Sequence, residues 1–148
     1  MRTAGKTTLV LIAIAALCLG AFSVAALAAK KQDTLPTFFT DNPKFNPGGE
    51  VKAKGTLHTV TACKLQRIVK LQVLDANGEV LATIDEDDTP NSSGNWKLSG
   101  HLPTNLPAGT NSVRVKAKKR TAGKFVCKAG VSISVPIPVP TPAPTPTQ

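Results

Sequence analysis

The stretch of sequence that decides the fold is Cys63-Lys64-Leu65-Gln66-Arg67-Ile68-Val69-Lys70-Leu71-Gln72-Val73-Leu74. Most of its odd positions are apolar, and Lys or Gln occupies most of its even positions. This period of two is typical of a β-strand with one buried face, and only Arg67 and Ile68 interrupt it. We therefore predict a central strand that begins at Cys63 and buries its odd-numbered side chains.

The chain has three cysteines, of which Cys18 lies in a segment that we expect to be removed. The remaining two, Cys63 and Cys127, are 64 positions apart. Pairing is the rule for an even number of cysteines in an exported protein, whereas a zinc site needs closer ligand spacing and a thiol nucleophile needs a partner base. We predict a Cys63–Cys127 disulfide that stabilises the fold by about 4 kcal/mol.

Residues 1–29 have the features of a secretory signal peptide. Arg2 and Lys6 precede an apolar run over residues 9–22, and Ala26-Leu27-Ala28 fits a small-x-small cleavage site. An uncleaved membrane anchor is the alternative, but the apolar run is shorter than the roughly 20 residues of a spanning helix. We expect a secreted protein, extracellular or associated with the cell envelope, which meets the membrane only through this transient signal.

Removal of residues 1–29 leaves 119 of the 148 residues, which suffice for one domain. Residues 30–49 contain Pro, Gly and Phe without a regular period, and we interpret them as a partly ordered leader whose aromatic residues cover an edge of the domain. Residues 50–135 carry the alternating pattern and form the predicted domain. Residues 136–148 have proline at alternate positions as far as Pro146, which predicts an unpaired Pro/Thr-rich tail in an extended polyproline conformation.

The mature chain is basic. Without Arg2 and Lys6 it keeps 16 of the 18 Lys and Arg residues against nine Asp and Glu, a formal net charge of +7. In an exported protein this charge favours anionic envelope polymers over nucleic acid as partners. Solubility alone is the other explanation of the charge.

Alternating apolar runs recur on both sides of the central stretch. Asn77-Gly78 between two such runs predicts a β-hairpin, and Val113, Val115 and Ala117 predict the inner face of a later strand. A final strand pair from Phe125 to Val135 keeps one parity, which points Cys127 inward. With turn residues roughly every ten positions and no amphipathic helix, we predict an all-β fold, an Ig-like antiparallel β-sandwich of about seven strands with one disulfide.

Few residues suggest chemistry. Asp85-Glu86-Asp87-Asp88 predicts a solvated acidic loop, with calcium binding as the alternative, although the calcium-loop pattern breaks at Thr89. Trp96, the only tryptophan, is predicted in the core, as is usual for a single tryptophan of a small β domain. A sugar-stacking role, which would need an exposed ring, is the alternative. His58 and His101 have no evident partner, so we expect no metal site, no cofactor and no catalytic residue.

Two segments carry a family resemblance. Ser93-Gly94-Asn95-Trp96-Lys97-Leu98, followed by Leu106-Pro107-Ala108-Gly109-Thr110 and Val113-Arg114-Val115, resembles the carboxypeptidase regulatory-like and transthyretin-like sandwich families. The surroundings of Cys63 and Cys127 look like a variant found in exported actinobacterial proteins. The resemblance covers about residues 50 to 135 and implies an Ig-like fold with an accessory or adhesive role. The His-Arg constellation of transthyretin-related hydrolases has no match here in His58, His101 and Arg114.

These patterns favour a secreted, monomeric, non-catalytic module that mediates binding or adhesion at the cell surface or envelope. Its partner would be an anionic envelope polymer, a carbohydrate or a surface protein. The expected contact surface is a basic outer face formed by Lys64, Lys70, Arg114, Lys116 and Lys118. A purely structural spacer domain is the main alternative, and a transthyretin-like hydrolase is the other.

Overall fold

This computed structural model describes residues 28–41 and 45–139. These residues form twelve β-strands. The strands are β1 (Lys30–Gln32), β2 (Leu35–Pro36), β3 (Phe39–Thr40), β4 (Glu50–His58), β5 (Ile68–Leu74), β6 (Val80–Asp88), β7 (Asn95–His101), β8 (Gly109–Ala117), β9 (Arg120–Ala122), β10 (Phe125–Cys127), β11 (Gly130–Val131) and β12 (Val135–Val139). A single 3₁₀ turn, Thr61–Cys63, precedes β5. The predicted signal peptide as far as residue 27 and the end of the predicted tail, residues 140–148, lie outside the described residues.

The strands form three sheets. In the front sheet, β4 pairs with β7 on one side and with β2 and β3 on the other. In the back sheet, β5 lies between β6 and β8, and β8 also pairs with β11 and β12. The side sheet has the order β1-β10-β9. Every pair is antiparallel except β1 with β10, which is parallel.

The front and back sheets pack face to face, because alternate side chains of both point into one apolar core. The buried core side chains are Phe38, Phe45, Val51, Ala53, Leu57, Val69, Leu71, Val73, Trp96, Leu98, Leu102, Val113, Val115, Ala117 and Ile137. The all-β sandwich prediction is therefore confirmed, as is the buried position of Trp96, which is 4% exposed. Burial of a side chain of this size stabilises the fold by roughly 2 kcal/mol.

The predicted hairpin joins β5 to β6. Gly78 has a φ of +84°, which glycine adopts without strain, and its amide donates to the Asp75 carbonyl. The Asp75 carboxylate accepts from the amides of Asn77 and Glu79, each at 2.8 Å. The turn is thus closed by the short polar side chain that the sequence places at its start.

The central strand begins later than predicted. Cys63 lies in the 3₁₀ turn, Gln66 has a φ of +51°, and the ladder starts only at Ile68. Leu65, predicted inward, is 40% exposed. The period of two from Cys63 to Arg67 was therefore misleading, because only Cys63 and Arg67 among the odd positions of this turn point inward.

The segments on both sides of the predicted domain contribute strands. The leader supplies β1, β2 and β3, with Phe38 and Phe45 in the core and Phe39 exposed. Residues 136–139 of the predicted tail are not unpaired, because they belong to β12, which pairs with β8 and buries Ile137. Proline at alternate positions is compatible with an edge strand. The positions that lack a backbone N–H then all lie on the side of β12 that faces away from β8.

The predicted final strand pair with one parity is also wrong. Phe125 to Val135 is divided between β10 in the side sheet, β11 in the back sheet and β12, and both Val131 and Ile133 are exposed. The division follows from Gly130, where a β-carbon would overlap the carbonyl oxygen of Thr34. The backbones of Gly130 and Thr34 are therefore in close contact at the point where the chain passes from the side sheet to the back sheet.

The predicted disulfide is confirmed. Cys63 and Cys127 are bonded, with their Cα atoms 5.6 Å apart and both side chains fully buried. The bond joins the turn before β5 to β10 of the side sheet. It therefore ties the side sheet to the central strand of the back sheet.

Among the described residues, Arg67 is the largest side chain that is fully buried. Its guanidinium donates to three oxygens, the Lys128 carbonyl at 2.7 Å, the Thr34 hydroxyl at 3.2 Å and the Cys63 carbonyl at 3.3 Å. It forms no ion pair with any described residue. Burial, and then the neighbouring charge of Arg120, lower the pKa of Arg67, although a guanidinium keeps its charge at neutral pH.

Thr89 completes this arrangement. It is fully buried and comes directly after the last residue of β6. Its hydroxyl accepts from the Arg67 amide at 2.8 Å and donates to the Lys64 carbonyl, while its own amide donates to the Arg67 carbonyl at 2.9 Å. We call Arg67, Thr89, Thr34 and the Cys63–Cys127 disulfide the clamp.

Loss of the disulfide should lower the stability of the domain. We expect the Cys63→Ser/Cys127→Ser variant to lose about 4 kcal/mol of unfolding free energy in urea, because the unfolded chain gains the freedom of a long loop. Reductant should destabilise the wild type by a similar amount and leave the variant unchanged. Equal urea midpoints for oxidised wild type and variant would contradict this expectation.

Substitution of Arg67 by lysine should also be costly. A single ammonium group cannot hydrogen-bond to all three oxygens that the planar guanidinium contacts. We therefore expect Arg67→Lys to lower the unfolding free energy in urea by about 2 to 4 kcal/mol. Arg114→Lys, the same change at a half-buried position of the back sheet, should cost less than about 0.5 kcal/mol. Similar midpoints for the two variants would show that the buried hydrogen bonds contribute little.

Candidate binding surfaces

The back sheet carries a basic outer face. Val69, Leu71, Val113 and Val115 point inward, so the residues between them point outward. In the register of β5 and β8, Lys70 lies opposite Lys116, and Gln72 lies opposite Arg114. Lys118 follows the end of β8, where its amide donates to the Ile68 carbonyl at 2.9 Å. The structure thus brings four of the five predicted residues together.

Two of these four cations have polar partners. The Lys70 ammonium forms an ion pair with Glu86 of β6, and Arg114 Nε donates to Gln72 Oε1 at 3.3 Å. Lys116 and Lys118 form no ion pair with any described residue. We call Lys70, Arg114, Lys116 and Lys118 the basic face.

Lys64 does not belong to the paired part of β5 and β8, because it lies in the turn between Cys63 and β5. Its side chain packs against Gly94, where an added β-carbon would lie 3.1 Å from Lys64 Cβ. Gly94 has a φ of +74°, so the turn before β7 depends on glycine both for its conformation and for this contact. The aliphatic part of Lys64 therefore has a packing role at this turn.

A second lysine cluster, not assigned to any site from the sequence, lies on the outer face of the front sheet. Lys54 of β4 lies directly opposite Lys97 of β7, and Lys52 lies opposite Ser99. Lys54 forms an ion pair with Asp41 at 3.2 Å, and Lys52 forms one with Glu50 at 3.2 Å. The alternation of Lys52 and Lys54 with Val51 and Ala53 was the available sequence signal for this cluster.

Acidic side chains of β6 border this lysine cluster. Asp85 Oδ2 accepts from the Ser99 amide at 2.7 Å, which joins the edge of the back sheet to the edge of the front sheet. The prediction of an acidic loop over Asp85 to Asp88 is wrong, because these residues continue β6 and pair with β5. Among the described residues no three His, Cys, Asp or Glu side chains are grouped to hold a metal ion.

Two neighbouring depressions lie between the lysines and the aspartates. One has a volume of about 510 Å³ and reaches Phe39, Pro90 and Trp96. The other, of about 520 Å³, extends toward Asp41 and Ser99. Both are lined by Lys54, Asp87 and Lys97, so they form one continuous depression, which we call the groove.

The histidines are not brought together. His58 ends β4, whereas His101 lies opposite Glu50 at the start of β4. Eight residues of extended strand separate the two positions, about 26 Å. His101 Nδ1 lies 3.3 Å from the Gly48 carbonyl oxygen, and the His58 side chain is exposed. Arg114, in the other sheet, does not join them in a catalytic constellation.

Comparison with known proteins adds no relative. No protein-family model matches the chain, and no curated protein is similar to it. Within residues 28–41 and 45–139, no helix combines the length and the apolar character needed to cross a membrane.

Proposed function

We propose that this protein is an exported, non-catalytic Ig-like module that binds an anionic polymer of the cell envelope through the basic face. The observation that supports the proposal best is the position of Lys70, Arg114, Lys116 and Lys118 at neighbouring places of two paired strands. Adjacent cations are then about 5 Å apart across the strands and about 7 Å apart along them. An extended polymer with one phosphate or carboxylate per repeat can contact several of them at once.

The stability of the sheet does not explain this arrangement. Like charges directly opposite each other on antiparallel strands are destabilising, and Lys70 lies directly opposite Lys116. Glu86 offsets the charge of Lys70 only. The surplus positive charge on this face is therefore better explained by an external anion than by the needs of the fold.

A charge reversal on the basic face should weaken binding to polyanions. We expect Lys116→Glu/Lys118→Glu to bind immobilised polyglycerol phosphate and hyaluronate at least about tenfold more weakly, since each lysine at an anionic surface contributes about 1 kcal/mol. These two lysines have no ion-pair partner among the described residues, so the fold should be retained. Binding by the wild type should fall steeply between low and high salt.

The matched control is Lys30→Glu/Lys31→Glu, which changes the net charge equally on β1 of the side sheet. It should bind like the wild type. Equal loss in both double variants would show that only net charge matters. Failure of the wild type to bind either polymer at low salt would contradict the proposed function and favour the spacer alternative.

A further inference from the structure

The groove on the front sheet differs from the basic face in its charge. Counted over the residues that the structure describes, the lobe that reaches Phe39 is lined by two lysines and two aspartates, and the other lobe by three lysines and three aspartates. Each lobe is therefore neutral, in a chain whose mature form has a net charge of +7. A polyanion would meet as many carboxylates as ammonium groups there, so the groove does not suit the ligand of the basic face.

The groove presents donors and acceptors side by side. Lys54 and Lys97 bring ammonium donors, and Asp87, on the opposite wall, brings carboxylate acceptors. Asn95 adds an amide, whose carbonyl oxygen accepts from the Thr56 hydroxyl at 2.9 Å. A ligand with many hydroxyl groups can both donate and accept along such a surface, whereas an apolar ligand would leave these groups unpaired.

Phe39 adds an apolar platform at one end. It is 61% exposed and pairs with Lys54 in the register of β3 and β4. An exposed aromatic ring next to polar side chains is suited to the apolar C–H face of a sugar ring. Phe38, its neighbour in the chain, is in the core, so burial of the segment does not require Phe39 to be aromatic.

Trp96 lies in the wall of the same lobe. Its indole is 4% exposed, and its Nε1–H has no hydrogen-bond partner among the described residues. The indole packs in the core behind this lobe, so it is a buried neighbour of the site and not a ligand contact. Trp96 is also the only tryptophan in the chain, which makes its fluorescence a local reporter.

We propose that the groove is a binding site for a neutral oligosaccharide. Phe39 contacts the apolar face of a sugar ring, and Lys54, Lys97 and Asp87 bind its hydroxyl groups. The two lobes, which share three lining residues, accommodate consecutive sugars of an extended chain. This site is separate from the basic face and does not depend on the proposed function.

The test uses the full mature chain and hexasaccharides of glucose, mannose and N-acetylglucosamine as probes. At least one of them should change the Trp96 fluorescence and shift the amide resonances of Lys54 and Lys97 in a saturable titration. Affinity should be nearly equal at about 0.01 M and about 1 M NaCl, where the Debye lengths are about 30 and 3 Å. No saturable binding by any of the three, or strongly salt-sensitive binding, would overturn the proposal.

Variants locate the site. Phe39→Ala and Asp87→Asn should each weaken binding at least about tenfold, whereas Leu35→Ala, an exposed apolar position of the same sheet outside the groove, should have no effect. Lys116→Glu/Lys118→Glu should leave sugar binding intact, so failure of one proposal can be told from failure of the other. Wild-type affinity in both Phe39→Ala and Asp87→Asn would overturn the assignment of the groove.

Discussion

The buried guanidinium of Arg67 is the constraint on which the rest of the structure depends. A charge in the interior with no carboxylate is tolerated only while its hydrogen-bond acceptors stay in place. Those acceptors come from the leader segment at Thr34, the disulfide turn at Cys63 and Lys128, which follows β10. Three segments distant in sequence are therefore held by one side chain. The disulfide links two of the same regions covalently. The outer faces of the front and back sheets take no part in holding these segments together.

Much of the fold could be predicted where the signal is local. The hairpin at Asn77-Gly78 and the inner face of β8 follow from short patterns, and the disulfide follows from the even number of cysteines outside the predicted signal peptide. The clamp could not be predicted, because Arg67 binds mainly backbone carbonyls, which have no sequence signature. The alternate prolines of β12 likewise fit a tail or an edge strand, and only the position of β8 decides between them.

The candidate surfaces likewise depend partly on local sequence patterns and partly on non-local contacts. The outward direction of Lys70 and Lys116 follows from alternation, but their juxtaposition requires that β5 pair with β8, which are far apart in the chain. The groove depends on a further non-local event, the approach of β6 to β7 through Asp85 and the Ser99 amide. Acidic residues that looked like a loop in the sequence thereby become one wall of a depression whose floor carries lysines. Composition indicated a basic protein, and only the tertiary arrangement separates a basic face from a neutral groove.

The most direct test of the clamp is native-state amide hydrogen exchange on the oxidised wild type. The amides of Lys30, Thr89 and Lys128 donate to the carbonyl oxygens of Lys124, Arg67 and Gln32 around the clamp. If Arg67 and the disulfide join the side sheet to the sandwich as one cooperative unit, these amides should exchange only through global unfolding, with the same free energy as the amides of β5 and β8. Exchange through local opening, at a free energy well below the global value, would contradict the account.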